Sequence, residues 1–181
     1  MLRVMLDTNV LVKFAFIYNK LDSNKILPKN LKKFDIILKK LESSKFFNVM
    51  SRWNKMELRD VLMKLKLSET FLLSGFSVDE FRDAKQEKIG LSKGDIDSVN
   101  NIVFNIWKFC ERSTATELNM VKIEKWNKKD YSTMDIILLH QAELHKCDYF
   151  VTNDKKLYLS EELKKYFDVK ICSVNEFKSK I

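Results

Sequence analysis

Met1-Leu2-Arg3-Val4-Met5-Leu6-Asp7-Thr8-Asn9-Val10-Leu11-Val12 holds a short apolar run that stops at an acid, passes through two small polar residues and turns apolar again. Leu2–Leu6, interrupted only by Arg3, predicts a buried strand, and Leu11–Tyr18 predicts the opening of a helix. A strand passing straight into a helix is the repeating unit of an open α/β sheet, whose ligands collect beyond the carboxyl ends of the strands. Asp7 stands at that place. A plainer reading stands beside this one, because Asp and Asn also end strands to start turns or cap helices.

The same arrangement recurs near the other end of the chain. Tyr149-Phe150-Val151 is a continuous apolar run, as expected of a parallel strand buried on both faces, and Thr152-Asn153-Asp154 follows it directly. Between the two, Leu31, Phe34, Ile37, Leu38 and Leu41 fall on one helical face, with Lys32, Lys33, Lys39 and Lys40 on the other. Phe46–Met50 fits a second strand, and Ser51 caps a helix whose core face is Leu58, Val61, Leu62 and Leu65. Ser77–Lys88 and Asp95–Glu111 read as further helices, so residues 52–118 form an all-helical insertion. Met120–Trp126 is the expected third strand. A helix opens at Ser132-Thr-Met-Asp135 and runs to about His145, and Glu161–Tyr166 is a short helix. Val169–Cys172 is the fifth strand, and Val174–Lys180 closes the chain as a helix. Strands separated by helices predict an α/β fold, a parallel sheet with helices on both faces.

The 181 residues fit one domain, 1–181, with a sizeable core. Hydrophobic residues at 45% and charged ones at 32% describe an ordinary soluble globule, with no apolar run near the ~20 residues of a membrane span and no secretory leader. Cys110, Cys147 and Cys172 are odd in number and lack metal-ligand spacing, which favours a reducing, cytoplasmic setting. The net charge of +8 is uneven: residues 1–60 hold 13 Lys/Arg against 6 Asp/Glu, while the remaining two thirds are nearly balanced. Such an excess suits a polyanionic partner such as nucleic acid, and equally a solvated lysine-rich surface.

Four acids invite a common explanation. Asp7 and Asp154 follow strands. Asp135 lies three residues after Ser132, the spacing of a capping box, and there it also complements the helix dipole. Glu57 borders an apolar helix face between Trp53 and Val61, where an unpaired carboxylate is costly unless a metal or a lysine offsets it. Brought together, the four would repel one another unless a hard cation such as Mg²⁺ or Mn²⁺ joined them. Such an ion polarises phosphodiesters and activates water.

The ordered set Met5-Leu-Asp7-Thr8-Asn9-Val-Leu11, Met56-Glu57-Leu58, Asp135-Ile-Ile with Ala142 in the same helix, and Phe150-Val-Thr152-Asn153-Asp154 resembles the PIN-domain ribonucleases. Within that family it is most similar to the VapC-type toxin nucleases, and the matches span nearly the whole chain. The resemblance implies a five-stranded parallel sheet of order 3-2-1-4-5, with Asp7, Glu57, Asp135 and Asp154 around one or two Mg²⁺ or Mn²⁺ ions. Thr8, Asn9, Thr152 and Asn153 would support them by hydrogen bonds. It further implies endonucleolytic cutting of RNA to 5′-phosphate and 3′-hydroxyl ends, and a toxin–antitoxin setting with an antitoxin protein as partner. The stretch 52–118 is longer than in compact toxins of this kind, and Glu69 or Glu80 takes the place of Glu57 if the helix boundaries shift.

Other residues read more simply. His140 and His145, five apart on one helix, face different ways and make a poor metal pair. Asp95 and Asp97 cap the long helix, Asp148 orients the entry of the fourth strand, and Trp53, Trp107 and Trp126 are core or interface residues, with base stacking a lesser option. Two other functions compete with the nuclease: a non-catalytic RNA- or partner-binding module on the same fold, and a phosphotransferase with Asp7 as nucleophile. The latter lacks a second Asp two residues on. An apolar face on the inserted helices would favour a homodimer.

Overall fold

In the computed structural model, which describes residues 1–22, 26–74, 90–113 and 117–181, five parallel strands form one sheet in the order β3-β2-β1-β4-β5. They are β1 Arg3–Leu6, β2 Phe47–Met50, β3 Cys110–Arg112, β4 Tyr149–Thr152 and β5 Lys170–Ser173. Leu6 pairs with Val151 in β4, and Val4 with Asn48 in β2, so β1 is central. The chain builds outward from β1 first to one side and then, through β4, to the other. The reversal leaves a crevice at the carboxyl ends of β1 and β4, where α/β sheets take their ligands.

β1, β2, β4 and β5 alternate their side chains between two cores, as a pleat with period two requires. Val4, Leu6, Met50, Val151 and Cys172 face α1 (Thr8–Asp22), α2 (Lys32–Glu42, after a 3-10 turn at Lys29–Leu31), α3 (Arg52–Leu73) and α4 (Lys93–Trp107). Met5, Val49, Phe150 and Ile171 face α5 (Met120–Asn127), α6 (Thr133–Leu144), α7 (Lys155–Tyr158) and α8 (Glu161–Tyr166). The last helix, α9 (Val174–Lys178), returns to the first side through Phe177, whose ring meets Phe46 edge-on with centroids 5.3 Å apart.

The helices begin where the sequence supplies caps. Ser51 Oγ accepts from Asn54 N at the start of α3, and Ser132 Oγ from Asp135 N at the start of α6. Ser92 and Asp95 form a reciprocal capping box on α4, so Asp95 is a capping residue. Asp148 accepts from Arg3 N at 2.8 Å and ties the entries of β4 and β1 together.

Two expectations are corrected. Met120–Trp126 is helix α5, not the third strand: Ile123 and Trp126, three apart, are buried together, while Val121 is exposed. The third strand is Cys110-Glu111-Arg112, paired in register with Asn48–Met50, so residues 52–118 are not all helical. Its two charged residues suit an edge, where they discourage pairing with another chain. The helix expected over Ser77–Lys88 lies outside the described residues. Among the described residues no helix is long and apolar enough to cross a membrane.

Candidate metal and nucleic-acid site

Asp7 links β1 to α1. Its N–H donates to Val151 O, continuing the ladder to β4, and its carbonyl accepts from Val10 N and Leu11 N, starting the helix. The side chain is buried, with Oδ2 accepting from Thr152 Oγ1 and Asn9 Nδ2, both at 2.6 Å. Asn9 Oδ1 accepts from Asn153 N at 3.0 Å, and Thr152 Oγ1 accepts from Asp154 N at 2.9 Å. The two strand-end triplets, 7–9 and 152–154, are thus joined by side-chain hydrogen bonds across the crevice. Asp154 also caps α7, accepting from Lys156 N.

Glu57 projects from α3 toward the same edge and accepts a hydrogen bond from Thr8 Oγ1. Thr8 in turn accepts from Asn54 Nδ2 at 3.1 Å. Glu57 forms no ion pair with a lysine among the described residues. Of its alternatives, Glu69 pairs with Lys66 at 2.8 Å, and Glu80 lies outside the described residues.

The four acids feel one another. Burial, joined by the charges of Asp135 and Glu57, pushes the Asp7 carboxyl up to about 7 against the pull of Thr152. Burial also raises Glu57, reinforced by Asp135 and Asp60, and raises Asp135, reinforced by Asp154 and opposed by Lys156. Asp135 is the hub of this field, since it acts on both Asp7 and Glu57 and is acted on by Asp154. All four predicted acids therefore border one region, although among the described residues no three His, Cys, Asp or Glu side chains are already gathered as a metal's ligands. Instead Asp7, Glu57 and Asp135 each turn to a neighbouring hydroxyl, of Thr152, Thr8 and Ser132.

The donor set fits a hard divalent cation. All its acidic members offer oxygen, and Asn54 Oδ1 beside them is buried without a hydrogen-bond partner. A carboxylate as buried as Asp7, surrounded by further acids, is the kind of group whose charge a cation offsets.

Sequence reading missed Asn54 and a group of cations farther along the same edge. Asn54, fully buried three residues before Glu57, carried a signal in that spacing, which puts both on one helix face. Lys55 Nζ lies 3.2 Å from the Trp107 ring centroid, and the Arg112 guanidinium lies 4.3 Å from it. Burial and the nearby Arg112 lower the Lys55 pKa. Lys33 reaches Asn153 Oδ1 at 3.3 Å. The histidines do not share a site: His145 Nε2 lies 2.5 Å from Ser113 Oγ, and buried His140 faces Glu143. A cleft of about 650 Å³ at the opposite edge of the sheet, lined by Cys147, Asp148, Phe167 and Lys170 among others, includes none of the four acids.

Comparison of the chain with protein-family models, with curated proteins and with solved structures finds no match.

Proposed function

We propose that this chain is a metal-dependent endoribonuclease of the PIN-domain kind, cutting RNA phosphodiester bonds with Mg²⁺ or Mn²⁺. The observation that supports it most is a buried Asp7 whose carboxyl is raised to about 7 by burial and by acids from α3 and α6, at the switch point of a 3-2-1-4-5 sheet. Asp7, Glu57, Asp135 and Asp154 would hold the ion. When bound, the ion would neutralise their charge, polarise the scissile phosphate and lower the pKa of a water molecule, so that it loses a proton to solvent and attacks as hydroxide. Thr152 and Asn9 fix the Asp7 carboxylate, Thr8 fixes Glu57 while Asn54 orients Thr8, and the Asn9–Asn153 bond keeps the two strand ends together.

The test is cutting of single-stranded RNA in Mg²⁺ or Mn²⁺, stopped by EDTA and by Asp7→Asn. Cutting that survives in Asp7→Asn removes the reading.

A second reading, a non-catalytic RNA-binding module, draws on one specific observation: the acids are not gathered as a ligand set among the described residues. It expects salt-sensitive RNA binding without turnover, unchanged in Asp154→Asn. For a homodimer or an antitoxin partner, the supporting feature is a set of exposed apolar side chains on α1, α3 and α4, Phe16, Leu65, Leu72, Leu73 and Phe104. Sedimentation as a monomer would remove the dimer, and co-purification with a small partner from the native host would favour the antitoxin.

A further inference from the structure

We infer that the cleft of about 220 Å³ lined by Met50, Ser51, Arg52, Lys55, Trp107 and Ser113 is a subsite for a phosphate of the RNA strand, flanking the acid site. The inference rests on the nucleic-acid reading above and adds to it the place where the substrate backbone is held.

The cleft lies at the same edge of the sheet as the acids. Met50 ends β2, Ser51 caps α3, and Arg112, in register with Met50, ends β3. β3 is two strands from β1, so the cleft is roughly 10 Å from Asp7 across the sheet, within the span of a few nucleotides. The wall of the cleft and the bed of the acid site share α3, which carries Arg52 and Lys55 as well as Asn54 and Glu57.

Its chemistry is cationic, with no acid paired to it among the described residues. Lys55 and Arg112 crowd the same indole despite their mutual repulsion, and Arg52 stands beside them. None of the three forms an ion pair with a described residue. Elsewhere in the molecule cations do find acids, as in Arg3–Glu111, Lys39–Asp35 and Lys122–Glu143. A group with two or three negatively charged oxygens satisfies this cluster, and Arg with Lys on an aromatic face is a common way to grip a single-strand backbone. The start of α3 adds its positive dipole end on the same side. Trp107 is a positioning residue: its ring holds Lys55 in the lining of the cleft and Arg112 beside it.

The experiment measures binding of a labelled single-stranded RNA by anisotropy in EDTA across a salt series, with cutting scored separately in Mn²⁺. Arg112 is exposed on an edge strand, so Arg112→Glu keeps the fold, and Lys55→Gln provides a second variant; a melting curve checks both. The expected result is about a tenfold loss of affinity in each variant, with the log–log salt slope reduced by roughly 0.7–1. Trp107→Phe keeps a ring face and keeps affinity, whereas Trp107→Leu loses part of both affinity and slope. Lys170→Glu, at the opposite edge of the sheet, serves as the control for net charge and leaves binding nearly unchanged. Equal loss in Lys170→Glu overturns the subsite, because net charge alone would then explain the effect. Undiminished binding in Arg112→Glu and Lys55→Gln, with wild-type cutting intact, overturns the subsite and leaves the nuclease standing. Loss of binding in those variants when the wild type binds but does not cut upholds the subsite and removes the nuclease. A wild type that ignores RNA overturns both.

Discussion

At the scale of the residue, Asp7 sets a conflict between stability and charge. Its carboxyl is raised from 3.8 to about 7, so the folded state holds a proton that the unfolded state gives up between those values. Below about 4 both states are protonated and there is no cost. The cost builds as pH rises and is complete above about 7, on the order of a few kcal/mol. Asparagine keeps the shape, accepts from Thr152 and Asn9 as before, and has no charge to bury. Asp7→Asn should therefore melt at a higher temperature than the wild type at about pH 8, with the difference shrinking toward about pH 5, while RNA cutting is lost. A variant that melts lower at both pH values would show that the acid is not a buried charge under strain. Asn48 makes a second test at this scale. It is fully buried in β2, and its Oδ1 accepts from the N–H of Leu6, the last β1 residue before Asp7, at 3.0 Å. Asn48→Leu leaves that N–H without its partner and should cost roughly 1–3 kcal/mol in denaturant unfolding.

At the scale of the element, the chain shows why some of its fold was legible and some was not. β1, β2 and β4 lie inside the sheet, and β5, though at its other edge, buries Ile171 and Cys172, so burial demanded apolar runs that sequence reading recognises. β3 is an edge strand of three residues, two of them charged, and its sequence carries no such run; its pairing with β2 decides its conformation. α5 was misread because Val121 and Ile123 alternate like a strand, while the spacing that mattered was Ile123 to Trp126, with Asn119 as the cap. Three of the acids could be named from the elements they follow or open. Asn54 carried a signal only in its spacing from Glu57, and the Lys55–Trp107–Arg112 cluster carried none, since it depends on β3 being where it is. Helix ends were also quieter than usual, because the chain has three glycines in all and uses none of them to stop α2 or α6. Ser44 at φ 54° and Lys146 at φ 50° occupy the left-handed position there. Lys45 N to Lys40 O and Ser44 N to Leu41 O close one Schellman motif, and Cys147 N to Ala142 O and Lys146 N to Glu143 O close the other. Each turn delivers the chain directly into β2 or β4. Ser44→Gly and Lys146→Gly should each stabilise the fold by about 0.5–1 kcal/mol, read from the denaturation midpoint at unchanged slope. Loss of stability in either would mean that the side chain holds the turn.

At the scale of the whole molecule, strands from both halves of the chain deliver like charges to one edge of the sheet. Asp7 and Asp154 arrive from β1 and β4, Glu57 from α3 on one side of the sheet, and Asp135 from α6 on the other. Those elements pack through separate cores, so no local adjustment lets the acids escape one another; relief has to come from protons, hydroxyl donors or a cation. Proton uptake is what the raised carboxyls express, and the hydroxyls of Thr8, Thr152 and Ser132 satisfy part of the remaining demand. A cation that binds the folded chain and not the unfolded one adds RT ln(1 + [L]/Kd), about 2.7 kcal/mol at a hundred times Kd. For a chain of 181 residues that corresponds to a rise in melting temperature of roughly 5–10 °C. The rise should grow with pH between about 6 and 8, because the ion competes with the proton on Asp7 for the same charge. In Asp7→Asn it should be nearly absent, since the carboxylate with the most to gain is gone. A melting temperature indifferent to millimolar Mg²⁺ and Mn²⁺ at pH 8 would mean that protons and hydroxyls suffice, and the acid edge would then have no need of a metal.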